Sequence, residues 1–367
     1  MHSGAAQKEK LPRPQQLDHP LHLERDPATG ELVAGASTAQ APGAHAIHVS
    51  VDLVPVTCAV LAPDGTTIRG LNRGDFRLFD DGAEQKIAYF DSSSLPARLA
   101  LLIDASPSVL PDSSEMLSAA EALVQNLSPD DEVALVDFSE HAYILAPFSK
   151  DRALLERAIA HVDVPSLFKD AGGTNIYRTV YFAAHDLFAH RTGRKAIVLL
   201  TDGQDSGMGL TLDPSSASPR RGGAAGRLTF DDVAEELAAH DIQVFAISTQ
   251  HRPKTMTAAW LADHAGETLL LPQDRRWGIP AYTLYLAEIV RRSGGALYFL
   301  HESGSLDDAY RRVAANIGAE YTLGFYPASD SKAGRHLLRV EVAGRHAQVV
   351  HRESYEASRP QPSPTRE

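Results

Sequence analysis

The chain contains almost no cysteine. Its single Cys58 excludes an intrachain disulfide and any thiolate-based zinc site. It sits in the apolar run Val54–Leu61, where a small buried hydrophobe is the expected role. Long hydrophobic runs are missing as well. No stretch approaches the roughly 18 apolar residues that a membrane-spanning helix needs. The segment from Met1 to about Gln16 is polar and lacks the apolar centre of a signal peptide. Positive charge is in deficit, with 35 Lys and Arg against 47 Asp and Glu and a net charge of −12. Such a surface repels phosphate backbones, so nucleic-acid binding is not expected. The 16 histidines are scattered with no His-Glu-x-x-His pattern, and a histidine metal site is not expected. Walker-type loops and dinucleotide fingerprints are also missing.

What is present reads as globular material, 43% hydrophobic and 22% charged over 367 residues. That is enough for one large domain and one smaller one. Residues 1–44, rich in Pro, His, Gly and Gln, show no sustained periodicity and read as a flexible leader. Residues 45–96 turn to β-rich runs at Val49–Leu61, Phe76–Phe79 and Ile87–Phe90, with turns at Pro63-Asp64-Gly65 and Asp80-Asp81-Gly82.

An alternating series fills residues 97–319. Leu99–Asp104 and Lys195–Thr201 are apolar without alternation, as in strands covered on both faces. Further strands are expected at Glu132–Phe138, Tyr143–Phe148, Gln243–Ser248 and Ala296–Leu300. Helical spacing marks Ser113–Leu127, Asp151–Val162, Thr179–His190, Phe230–His240, Tyr282–Arg292 and Leu306–Ala319. Strand-then-helix order of this kind predicts an α/β fold with a doubly wound, mostly parallel sheet. Two inserts interrupt it, Gly207–Arg227 and Thr249–Pro280. Residues 320–356 are β-rich again, and 357–367 form a polar tail read as disordered. Neither flanking β segment can hold a core alone. The two are therefore expected to pack together as a small β-sandwich-like domain built from N- and C-terminal strands.

Open α/β sheets bind ligands at the carboxyl ends of their strands, where the strand order reverses. In the order 3-2-1-4-5-6 that point lies between the first and fourth strands. The first strand of the series ends in Leu102-Ile103-Asp104-Ala105-Ser106-Pro107-Ser108, and the fourth in Leu200-Thr201-Asp202-Gly203. Asp104 and Asp202 are thus expected side by side. Ser106 and Ser108, two residues apart, can send both hydroxyls to one side of the turn. Thr174 follows Gly172-Gly173, which permits close backbone approach. Five oxygen side chains without cysteine or histidine suit a hard cation, Mg2+, Mn2+ or Ca2+, rather than zinc. With only two carboxylates, a coordination position remains for an incoming acidic group.

The segments Asp104-Ala105-Ser106-Pro107-Ser108, Gly172-Gly173-Thr174 and Leu199-Leu200-Thr201-Asp202-Gly203 resemble the metal-ion-dependent adhesion site of von Willebrand factor A domains. The likeness covers about Leu99–Ala319. It implies that Ser106, Ser108 and Thr174 touch the metal, while Asp104 and Asp202 act through water or hydrogen bonds. It also implies that an Asp or Glu of a partner protein completes the shell. The flanking segments Leu71-Asn72-Arg73-Gly74-Asp75-Phe76, Asp81-Gly82, Tyr321–Pro327 and Arg352-Glu353-Ser354-Tyr355 resemble an acidobacterial subgroup of the same family. Members of that subgroup often carry export signals, whereas residues 1–16 offer none, so the location stays open between secreted or extracytoplasmic and other compartments.

Three rival readings stand beside this one. Asp104 and the serines could simply cap a helix. Asp104 could be a phosphoryl-accepting nucleophile, although Ser106 stands where such chemistry wants a second carboxylate. The metal could serve only as a structural pin in a scaffold. Enzymatic activity is not expected, and neither the partner nor the oligomeric state is legible. Asp205 is expected to be a loop carboxylate, and Arg73-Gly74-Asp75 a turn before a strand.

Overall fold

The computed structural model describes residues 13–17, 23–25, 32–34, 53–62, 68–92, 96–162, 173–189, 191–206, 228–257, 260–261, 264, 269–270, 278–301, 313–314, 317, 320–328, 334–344 and 347–357. Three short strands come first: β1 (Gln15–Gln16), β2 (Leu23–Arg25) and β3 (Leu32–Ala34). Next come β4 (Val54–Leu61), β5 (Phe76–Asp80), β6 (Ala83–Gln85) and β7 (Tyr89–Asp91). The α/β series contributes strands β8 (Ala97–Asp104), β9 (Glu132–Phe138), β10 (Ala142–Ser149), β11 (Arg194–Thr201), β12 (Ile242–Ser248) and β13 (Leu297–Phe299). Its helices are α1 (Ser113–Asn126), α2 (Arg152–Ile159), α3 (Ile176–Phe182), α4 (Phe230–Ala239) and α5 (Ala281–Ser293). The chain closes with β14 (Glu320–Phe325), β15 (Gly334–Val342), β16 (Gln348–His351) and β17 (Ser354–Ala357).

The large sheet runs β1-β10-β9-β8-β11-β12-β13. Its six main strands thus follow the doubly wound order, with β8 and β11 paired parallel at the reversal. The two apolar strands fill the centre because both of their faces are covered. Leu99, Leu101 and Ile103 of β8 pack into one core with Met116, Leu123 and Val124 of α1 and Leu155 and Ile159 of α2. Ala100 and Leu102, pointing the other way, enter a second core with Val180 of α3, Val233 and Leu237 of α4, and Leu286 and Ile289 of α5. Strand alternation therefore splits one apolar run between two helical layers.

The flanking strands form two four-stranded antiparallel sheets, β16-β4-β14-β7 and β17-β15-β5-β6. Each mixes strands from both ends of the chain: β14 pairs with β4, and β15 with β5. Val56, Cys58, Leu78, Leu323, Phe325 and Val340 share the core between them. The sandwich meets the α/β domain at the amino ends of its strands. There Thr57 donates its hydroxyl proton to Asp241 just before β12, and Gly294 lies against Arg352. Gly294 ends α5 at φ +84°, and an added Cβ would stand 2.4 Å from the Arg352 backbone nitrogen. Both the turn and the contact between domains require glycine there.

Several expectations need correction. Within the segment read as a leader, β1 pairs antiparallel with β10 and Leu17 is buried in the second core. An edge strand this short leaves no periodicity to detect. Helix α3 starts at Ile176 rather than Thr179 and continues through a π-type turn, Ala183–Leu187. The strand after the Asp81-Gly82 turn is Ala83–Gln85, with Tyr89–Asp91 following in the other sheet. Insert 207–227 lies outside the described residues, as does most of the expected helix at Leu306–Ala319. Arg73–Asp75 forms a short 3-10 turn leading into β5. Among the described residues no helix is long and apolar enough to cross a membrane.

Candidate metal site

Parallel pairing of Leu200 with Ile103 brings the ends of β8 and β11 together. Asp104 is the last residue of β8 and Asp202 the first after β11. Both are buried. Asp104 Oδ1 accepts the Ser106 N–H at 2.9 Å. Its Oδ2 accepts the Thr201 hydroxyl at 2.6 Å, and Thr201 Oγ1 accepts the Gly203 N–H at 3.0 Å. Burial raises the Asp104 carboxyl to about 7, and the like charge of Asp202 adds to the rise against the hydrogen bonds from Ser106 and Thr201. A low-dielectric pocket beside a second carboxylate disfavours the ionised form of Asp104. Asp202 is steadied by one neighbour: Oδ1 accepts the Gln204 N–H at 2.9 Å, and Oδ2 the Gln204 Nε2 amide at 2.8 Å. The Tyr282 phenol at the start of α5 is raised, first by burial and then by the charge of Asp202.

The serines turn at the head of the 3-10 segment Pro107–Asp112. Ser106 occupies its N-cap position, yet its side chain makes no capping bond. Its Oγ lies instead 3.1 Å from Ser108 Oγ. The hydroxyls meet because the chain enters a tight helix after Ser106, not through strand alternation. Ser106 is buried and Ser108 exposed, so the pair runs from the carboxylates to the solvent.

Thr174 is buried and joined to the same edge by way of Ser206. Its N–H donates to Ser206 Oγ at 2.7 Å, and its carbonyl accepts the Ser206 N–H at 2.8 Å. A Cβ on Gly173 would lie 2.0 Å from Ser206 Oγ, so glycine is what allows the two loops to clasp. On the other side, the Asn175 N–H donates to the Ser139 carbonyl beyond β9. Asp205 Oδ2 accepts the Tyr177 N–H in the first turn of α3.

The structure thus gathers Asp104, Ser106, Ser108 and Asp202 at one strand edge and ties the Thr174 loop to it. Every donor is oxygen, two of them buried carboxylates, a set that fits a hard divalent cation. Thr201, Gln204, Ser206 and Tyr282 were not foreseen. Thr201 had a readable signal, a polar residue closing an apolar strand beside Asp202, whereas Gln204, Ser206 and Tyr282 had none that periodicity could supply. The described residues also assemble two histidine–carboxylate groups, Asp112 with Glu115 and His301, and Asp80 with Asp81 and His336.

A doubly wound α/β domain with hydroxyls and carboxylates at the reversal point of its sheet is the class that fold and site define. Residues 99–204 match the family described as von Willebrand factor type A domain. No curated protein matches the chain. Solved structures similar to it include an aerotolerance-related membrane protein from Bacteroides fragilis (15% identity, 60% of this chain and 98% of that one, TM-score 0.41). Another is a von Willebrand factor type A protein from Catenulispora acidiphila (14% identity, 76% and 73%, TM-score 0.40). A third is proximal thread matrix protein 1 of the mussel byssus, with a zinc-occupied adhesion-site motif (16% identity, 66% and 50%, TM-score 0.40).

Proposed function

We propose that this chain is a metal-ion-dependent protein-binding module whose partner presents an aspartate or glutamate. Ser106, Ser108 and Thr174 would hold a divalent cation, magnesium or in its place manganese or calcium, with Asp104 and Asp202 acting through water or hydrogen bonds. When bound, the cation supplies positive charge and an open coordination position for a carboxylate. The carrying observation is the Ser106–Ser108 hydroxyl pair, released from capping duty and set 3.1 Å apart beside a buried carboxylate.

The protein's own groups divide the remaining work. Thr201 and the Ser106 N–H fix the orientation of Asp104, as supporting hydrogen bonds do around ligated ions. Gln204 does the same for Asp202. Exposed Ser108 marks the side from which a partner carboxylate would enter. Binding is favoured over phosphoryl transfer because both Asp104 oxygens are already engaged by hydrogen-bond donors, which blunts the carboxylate as a nucleophile.

The test uses manganese with acetate as the carboxylate probe. Mn2+ bound to the full chain should enhance water-proton relaxation, and millimolar acetate should reduce that enhancement by displacing water. The Asp104→Ala variant should show neither effect while keeping the wild-type circular dichroism spectrum. Manganese binding that acetate leaves unaltered would replace the adhesion reading with a structural metal in a scaffold.

A further inference from the structure

We propose a second metal site, in the sandwich, formed by Asp80, Asp81 and His336 and suited to zinc or a similar borderline cation. Asp80 ends β5, and Asp81-Gly82 makes the turn to β6, with φ +47° and +82°. Two successive positive φ values are those of a tight hairpin turn. The turn holds the two aspartates next to β15, where the Leu337 N–H donates to Asp81 Oδ1 at 2.8 Å. His336 of β15 then places its Nδ1 3.4 Å from Asp80 Oδ1 and 3.0 Å from Asp81 Oδ2.

Asp80 makes this more than an acidic turn. It is 5% exposed, and its Oδ1 is buried without a hydrogen-bond partner. The imidazole nitrogen at 3.4 Å makes no hydrogen bond to it and pairs with it by charge only when protonated, and a buried carboxylate oxygen without a hydrogen bond is costly. The other oxygen, Oδ2, accepts the Tyr355 hydroxyl at 3.0 Å, which aims Oδ1 at the histidine. Such an outer partner is what orients a ligating carboxylate. The negative charge gathered here also registers on Tyr355, whose phenol is raised, first by burial and then by Asp80 and Asp81.

The spacing suits a small cation. Ligands about 2.0 Å from a tetrahedral zinc stand about 3.3 Å apart, close to the two nitrogen–oxygen distances, and all three donor atoms lie within 4.8 Å of one another. Two carboxylates and a neutral imidazole balance a divalent charge. The imidazole selects zinc, cobalt or nickel over magnesium and calcium. The Asp81 side chain is 54% exposed, which leaves an entry path and room for water as a fourth ligand. The Asp112–Glu115–His301 group has no such orphaned oxygen among the described residues and carries no proposal.

The experiment counts equivalents of Zn2+ and Co2+ bound by the full-length wild type, His336→Gln and Asp81→Asn, with circular dichroism on each. Because it reads a difference between chains, it does not depend on the adhesion-edge site. The proposal expects one equivalent fewer for His336→Gln, together with loss of a visible cobalt band, and affinity at least tenfold weaker for Asp81→Asn. Magnesium should not compete. Asp81→Asn, half-exposed and able to keep its positive φ, carries the test by itself if His336→Gln fails to fold. Unchanged binding in Asp81→Asn, or equal stoichiometry in wild type and a folded His336→Gln, would overturn the site and leave an ion-paired hairpin corner.

Discussion

The carboxyl edge of the parallel sheet and the hairpin corner of the sandwich both collect acidic side chains, but from different chemistry and by different routes. At the sheet edge Asp104 and Asp202 are buried, and neutral hydroxyls accompany them, Thr201 bonded to Asp104 and Ser106 paired with Ser108. At the corner one aspartate is buried and one half-exposed, and the third member is an imidazole. The first set is hard and the second borderline, so one chain can sort two kinds of cation by donor type. The comparison also separates two ways of assembling a site. Strand order alone brings Asp104 to Asp202, whereas only the antiparallel ladder between β5 and β15 brings His336 to Asp80.

The largest expected effect is at the sheet edge. Asp104→Asn should abolish manganese binding while making the metal-free protein more stable at pH 8. The sign follows from the carboxyl, ordinarily 3.8, being raised to about 7 in the folded chain. Its contribution to stability is full below about pH 4 and is lost as the pH climbs through about 7. Thermal melts in chelator between pH 4.5 and 8 should therefore fall for the wild type over that window and stay flatter for Asp104→Asn. Parallel curves would place the strain elsewhere.

Next comes Thr201→Val, which removes the hydroxyl that steadies Asp104. It should weaken manganese about 10- to 100-fold and leave zinc binding at the corner unchanged, as read by paired titrations. A loss at both places would erase the distinction between them. Gly203→Ala tests the backbone beneath the first site. Gly203 has φ +87°, and a Cβ there would meet Leu286 Cδ1 at 2.7 Å. Denaturant unfolding should show a loss of about 1–3 kcal/mol, softened if the flexible tip of Leu286 moves. The smallest effect belongs to Tyr355→Phe, which deletes the bond to Asp80 and should cost about 1 kcal/mol, again by denaturant unfolding.

Much of the sheet edge was legible because its cause is local. Apolar strands ending in Asp104 and before Asp202 announce both their burial and their place at the reversal point, and observed and expected strand bounds there differ by two residues at most. Ser106 and Ser108 were foreseen as partners, though through alternation rather than the 3-10 turn that brings them together. Asp205 was set aside as a loop carboxylate and is found holding the Tyr177 N–H. The clasp between Thr174 and Ser206 was not legible, since it depends on two loops meeting in space. The corner was invisible for the same reason. Asp80-Asp81-Gly82 reads as a turn, and one histidine among 16 carries no signal until the strand register is known. Edge strand β1 escaped because two paired residues set no period.

The central claim is most directly tested by calorimetric titration of Mg2+ and Mn2+ into the full-length wild type and Asp104→Ala, with circular dichroism confirming that both are folded. The account predicts binding at the sheet edge in the wild type and its loss in the variant. Equal binding by the two chains, or none by either, would contradict it and leave a doubly wound α/β domain whose hydroxyl pair holds no cation.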